Sequence, residues 1–128
     1  DSYSDSEILC IQQGCTASGM DGAYAESYDE ILCNALFYDP VTYAKMLAYP
    51  GVMDDETRCF AITGAAFYGE LFPEQEQTAA KSLDAAISAN TLTAEETGWA
   101  KLLRYYLVTP SEDGSFADYP KTPAELEN

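Results

Sequence analysis

The chain has no histidine, and its 128 residues include only six bases: Lys45, Lys81, Lys101, Lys121, Arg58 and Arg104. The first absence removes the Ser-His-Asp and Cys-His nucleophile systems, together with histidine-ligated metal sites of the H-E-x-x-H kind. The second stands against 22 acids and leaves a net charge of −16. Phosphate backbones and anionic lipid heads are recognised by clustered Lys and Arg, so nucleic-acid binding is excluded by a chain whose few bases are scattered. The longest apolar run, Cys59 to Tyr68, is about half of the roughly 20 residues that cross a bilayer, so no membrane insertion is expected. The sequence also lacks a G-x-S-x-G elbow, a P-loop, a Gly-rich dinucleotide turn, a C-x-x-C pair and an N-x-S/T sequon. These absences argue against the common hydrolase, nucleotide and thiol-redox chemistries.

What remains is an apolar share of 47 %, ordinary for a globular protein and enough for one core at this length. The organising stretch is Asp54 to Phe72, DDETRCFAITGAAFYGELF. Three acids open it and an all-round apolar segment follows, the pattern of a helix buried among other helices. Ala61, Gly64, Ala65 and Ala66 would admit close neighbours, with Phe60, Ile62 and Phe67 filling the volume around them.

Amphipathic helices are expected on both sides of it. Ser6 to Gln13 reads as a short helix ended by Gly14, and Tyr28, Ile31, Leu32, Ala35 and Leu36 repeat at helical spacing. Asp39-Pro40 supplies an N-cap and an N1 proline for a helix with Val41, Ala44 and Leu47 inward. Ala79, Ala80, Leu83, Ala86 and Ile87 mark the helix after Pro73. Thr93-x-x-Glu96 is a capping box for a last long helix with Trp99, Leu102, Leu103 and Tyr106 inward. No strand is expected. The fold class is all-α, five or six helices packed as successive antiparallel αα-hairpins. An offset of about 40 residues superposes one hairpin on the next, the period of a short HEAT/armadillo-like array. Residues 1–110 form the single helical domain, with an acidic flexible lead at 1–7, and 111–128 an irregular C-terminal tail.

Cys10, Cys15, Cys33 and Cys59 are an even set of cysteines and point to two disulfides and an oxidising compartment. Their pairing is open; one choice joins Cys10 to Cys15 and staples two helices through Cys33 and Cys59. The alternatives are reduced core thiols at Cys33 and Cys59, or a Cys₄ zinc site, for which the spacing is poor. The start, DSYSDSE, suits a spacer behind a cleavage site or a lipid anchor. A secreted or cell-surface protein, of a bacterial kind, is the expected setting.

No catalytic residue and no metal ligand is assigned, and no cofactor is expected. Asp54, Asp55, Glu56, Glu95 and Glu96 sit where helix N-termini favour negative charge. Glu74, Glu76, Glu112 and Asp113 read as solvated surface. Neither Asp21-Gly22 nor Asp113-Gly114 has the ligands of an EF-hand, which leaves only a loose calcium alternative at Glu112, Asp113 and Asp118. Ten tyrosines and one tryptophan combine flat apolar faces with polar tips. Tyr24, Tyr38, Tyr43, Tyr49 and Tyr105 lie beside the apolar stripes and form the candidate recognition surface.

The expected role is a non-catalytic interaction module presenting an acidic, tyrosine-bearing surface to a protein partner, with a glycan as the alternative ligand. Two competitors are defined by what they require. A carboxylate-based hydrolase needs two carboxyls of divergent acidity in one cleft, one of them buried. A carrier of a small apolar ligand needs a closed cavity lined by residues such as Phe60, Phe67 and Leu103.

Overall fold

The computed structural model describes residues 22–51, 53–109, 111 and 116–127, with side chains from residue 30 onward. The helix expected at 6–13, Cys10, Cys15, the side chain of Tyr24, and Glu112 and Asp113 of the calcium alternative lie outside the described residues. The fold is all-α. Six helices are described: α1 Gly22–Tyr38, α2 Pro40–Ala48, α3 Asp55–Gly69, α4 Pro73–Ala89, α5 Ala94–Val108 and α6 Pro123–Glu127.

Local sequence sets the helix ends. The Asp39 carboxylate accepts from the Thr42 amide at 3.1 Å and the Thr42 hydroxyl at 2.8 Å, with Pro40 at the first turn of α2. Asp54 accepts from the Thr57 amide at 2.8 Å at the start of α3, and that bond holds its carboxyl below the ordinary range. The capping box of α5 is complete: the Glu96 amide donates to the Thr93 hydroxyl at 3.1 Å, and the Thr93 amide to the Glu96 carboxylate at 3.0 Å. Such a cap is worth about 0.5–2 kcal/mol. Asn90 ends α4 in the left-handed conformation, φ 59°, a region that Asn tolerates better than most residues.

The packing order differs from a run of hairpins. α1 packs most extensively on α3, and α4 packs on α5, but the backbones of α2 and α3 scarcely approach. The hairpin array is therefore not confirmed. Two helices are shared most widely: α5 packs against α2, α3, α4 and α6, and α4 against α1, α2, α3 and α5. Trp99, Ala100, Leu102, Leu103, Tyr106 and Leu107 are the buried face of α5. α3 is buried through Ala61, Ile62, Gly64, Ala65, Ala66 and Gly69, whereas Phe67 is half exposed. The small residues of α3 thus serve close approach to α1, and its apolar run is not enclosed on every side. Ile31 of α1 is likewise exposed, while Leu32, Ala35 and Leu36 face the core.

Two polar devices tie helices together. Arg58 donates from Nε to the Leu47 carbonyl at 2.7 Å and from Nη2 to the Tyr49 carbonyl at 3.2 Å, closing the C-terminus of α2, and its guanidinium lies 5.6 Å from the centroid of Trp99. The Tyr43 hydroxyl donates to the Ala61 carbonyl at 2.7 Å.

Within the stretch expected to be an irregular tail, residues 116–127 pack on the core through Phe116, Tyr119 and Leu126. Phe116 is buried, its ring 5.4 Å from Tyr106 and 5.1 Å from Tyr119. The Tyr106 hydroxyl donates to Pro120 and the Tyr119 hydroxyl to Thr109, at 2.7 and 2.6 Å. Lys121 gathers the carbonyls of Phe116, Ala117 and Tyr119 within 3.1 Å. α6 then seats Pro123 over Gly98, where an added Cβ would lie 3.1 Å from the proline ring.

The proposed staple between Cys33 and Cys59 does not form; both are free thiols. Cys33 lies against Gly69, 3.6 Å from where a Cβ would stand. Cys59 is ten residues earlier on the same helix, about 15 Å away at 1.5 Å per residue. A disulfide needs Cα atoms within about 7 Å. Burial pushes the Cys33 thiol up to about 12, with the Glu76 charge adding to the effect. Thiol alkylation of the native protein at pH 8 should therefore modify half-buried Cys59 well before Cys33, as read by peptide mass mapping. Equal rates would show that the α1–α3 contact opens readily.

Candidate functional site

The corner where α3 passes into α4 brings three helices to one point. After Gly69 the chain turns tightly: the Leu71 amide donates to Tyr68 at 3.2 Å, the Phe72 amide to Gly69 at 2.8 Å, and the Glu76 amide to Phe72 at 3.0 Å. Pro73 opens α4 at its first turn, and this compact entry places Glu76 back over the end of α3. Gly69 makes the approach possible. A Cβ there would lie 3.3 Å from Glu76 Oε2, 3.4 Å from Phe37 Cζ and 3.6 Å from Cys33 Sγ.

Glu76 is the unusual member, since it is only 9 % exposed. No hydrogen bond or ion pair reaches its carboxyl among the described residues. Burial, reinforced by the charge of Glu70, raises its pKa from the ordinary 4.5 to about 7. Burial also raises that of Glu70. Both carboxyls line an open cavity of about 370 Å³, whose other walls are Pro73, Gln77, Leu107 and Val108.

Around this corner the surface is apolar. Phe37 meets Phe72 edge to face at 6.4 Å, and Phe72 meets Tyr68 at 5.8 Å. The Glu30 carboxylate of α1 lies beside the Tyr68 hydroxyl. Phe67, Leu71, Phe72 and Val108 are exposed, Leu71 by 68 %, and Tyr38 at the end of α1 is 59 % exposed.

The tyrosines proposed as one recognition surface differ in their placement among the described residues. Tyr38 is on the surface, but Tyr43 is a core residue, 1 % exposed with its hydroxyl spent on Ala61. It lies within a short helix whose Thr42, Ala44, Met46 and Leu47 are also buried, so α2 is covered on most sides. Tyr49 is half-buried and shares a cavity with Lys45, Thr93, Glu95 and Glu96. Tyr105 meets Tyr106 and Tyr119 edge to face, with ring centroids 6.3 and 5.5 Å apart. Nor do the residues named for an apolar chamber line one, because Phe67 is exposed and Leu103 is sealed in the core.

Glu76 itself is a correction, having been read as solvated surface. Its position was marked in the sequence: Glu76, Ala79, Ala80 and Leu83 fall at i, i+3, i+4 and i+7, the buried stripe of α4.

The raised pKa of Glu76 makes a signed prediction. Between pH 4.5 and about 7 the folded state holds the Glu76 proton that the unfolded chain has released. The stability this proton confers is therefore complete below pH 4.5 and lost as pH rises through 7. Glu76→Gln should match the wild type in thermal midpoint near pH 4.5 and exceed it above pH 7 by about 1–2 kcal/mol, less than the full shift implies because the cavity admits screening water. Urea titrations at both pH values would measure it. A glutamine variant less stable at pH 8 would mean that the carboxylate has a stabilising partner.

Among the described residues no helix is long and apolar enough to cross a membrane, and no group of three or more Cys, Asp or Glu is placed to hold a metal ion. Comparison of the chain with protein-family models, with curated proteins and with solved structures gave no match.

Proposed function

We propose that the chain is a non-catalytic helical interaction module that docks a protein partner on the α1–α3 corner. The observation that carries this reading is the set of large apolar side chains left in solvent there: Tyr38, Phe67, Leu71 and Phe72. Phe72 itself meets Phe37, the chain neighbour of Tyr38, edge to face, on a chain whose net charge is −16. Exposed aromatic and aliphatic anchors within a charged surround are the composition of a binding patch. The charge favours a partner with a basic rim, through steering and complementarity, and disfavours nucleic acid. A secreted or cell-surface location belongs to the same proposal. With Cys33 and Cys59 free, its cysteine support rests on Cys10 and Cys15.

A photo-crosslinking residue placed at Leu71, and in a control at exposed Lys81 of α4, tests the patch in the cells that make the protein. A discrete protein adduct from position 71 alone is expected. Equal adducts from both positions, or none from either, would contradict the reading.

One observation favours a second reading. Glu70 and Glu76 meet part of the stated requirement for a carboxylate hydrolase: two carboxyls on one cavity, one of them on a buried residue, although burial raises the pKa of both. Against it stands the rest of the lining, where Gln77 is the sole further polar side chain. Turnover of chromogenic glycoside or ester substrates between pH 5 and 7, abolished in Glu76→Gln, would establish this reading in place of the first.

A further inference from the structure

We propose that the cavity between the end of α3, the first turns of α4 and the end of α5 binds an organic monocation, a primary ammonium or guanidinium group carried on an apolar arm. That chemistry is shared by a lysine or arginine side chain and by a free alkylamine. The inference does not depend on which macromolecule the chain meets.

Three observations converge on it. The first is Glu76, a residue 9 % exposed whose carboxyl lines an open cavity and has no hydrogen bond or ion pair among the described residues. Withdrawing a carboxylate from water without a counter-charge is costly, and a cationic ligand would supply that charge. The second is Glu70, a further carboxyl on the same cavity. Two like charges on one cavity raise the penalty for each, and both attract a cation that enters it. The third is the composition of the remaining wall. Pro73, Leu107 and Val108 are apolar, so a methylene arm is accommodated while the charged head meets the acids.

The donor set also selects the kind of cation. Calcium takes six to eight oxygen ligands and magnesium demands a near-octahedral shell. Here two carboxylates and one amide line the cavity, and no larger acidic group gathers there among the described residues. An ammonium or guanidinium needs two or three acceptors and gains from apolar contact along its stem. The room, about 370 Å³, is ample for such a head and its arm. The groups facing Glu76 are the Cys33 thiol from α1 and Glu70 from the end of α3, while α5 contributes the uncharged Leu107 and Val108. Among the described residues no cationic side chain lines the site.

The test is chemical-shift titration of the full chain with n-butylammonium, n-butylguanidinium and the peptide acetyl-Ala-Lys-Ala-amide at pH 8 and pH 5, with calcium chloride as the comparison. Saturable shifts at residues 70–77 and 107–108 are expected from at least one of the organic probes at pH 8. Binding should weaken more than about tenfold at pH 5, where Glu76 is protonated, and likewise in Glu76→Gln. Tightest binding by the peptide would support the proposal and identify a side chain as the source; tightest binding by the free amines would support it with a small molecule as the source. Three results would overturn it: no saturable shift from any organic probe, affinity unchanged in Glu76→Gln, or displacement of the probes by equimolar calcium. Glu76→Gln is expected to fold at least as stably as the wild type at pH 8, so lost binding there reports the site.

Discussion

Phe116→Ala is expected to destabilise the protein by about 3–5 kcal/mol, the usual cost of emptying a buried aromatic site. An appendage outside the helical domain would lose nothing measurable by the same change. Phe116 is 3 % exposed and its ring sits among those of Tyr106 and Tyr119. Its backbone is in the left-handed region, φ 54°, a conformation that costs a bulky residue of order 1 kcal/mol or more. The chain accepts that strain because the turn drives the ring into the core and because Lys121 collects the carbonyls at 116, 117 and 119. Loss of the ring would also loosen the Tyr106 and Tyr119 hydroxyl bonds that clasp this segment to α5. Thermal unfolding by circular dichroism should show a midpoint lower by about 10 °C or more. A shift below about 2 °C would mean that residues 116–127 do not contribute to the cooperative core.

Leu102→Ala should cost about 2–5 kcal/mol, whereas Phe67→Ala should fall within about 0.5 kcal/mol of the wild type. The contrast separates two accounts of the fold. With α3 at the centre, both positions would be critical, and the larger Phe67 side chain the more so. With α5 as a widely shared helix, Leu102 is wholly enclosed, whereas Phe67 leaves half its surface in solvent. Urea denaturation of the two variants measures the difference directly. A Phe67→Ala change that destabilises as much as Leu102→Ala would restore α3 to the centre and remove Phe67 from the proposed binding patch.

The parts of this fold that local chemistry determines were legible in the sequence. Asp39-Pro40, Asp54 and the Thr93–Glu96 box end helices through bonds made within three residues, so a linear reading finds them. The inward face of α5 was legible for a related reason, because Trp99, Leu102, Leu103 and Tyr106 contrast with the charged residues between them. α3 offers no such contrast. Where every face is apolar, periodicity cannot say that Ile62 is buried and Phe67 is not, and the answer comes from the helices that pack on it. The separation of Cys33 from Cys59 likewise depends on where α1 crosses α3, a register that no spacing in the chain records. The clasp of 116–127 was hidden because Phe116 and Tyr119 lie in a proline-rich stretch without a helical repeat.

The candidate site falls between these cases. Gly69 and Glu76 each had a readable local role, one at a helix end and the other on a buried stripe, but their meeting with Cys33 is a tertiary event. The resulting corner places exposed apolar anchors beside an acid that has no counter-ion among the described residues, which is why binding is the reading drawn from it.

The most direct test is a pH titration of the Glu76 side-chain carboxyl by carbon-13 NMR, assigned by the signal missing from Glu76→Gln. A midpoint of about 7 is predicted, moving down when Glu70→Gln removes the neighbouring charge. A midpoint near the ordinary 4.5 would mean that Glu76 is solvated or already paired, and would contradict both the buried-acid corner and the cation site built on it.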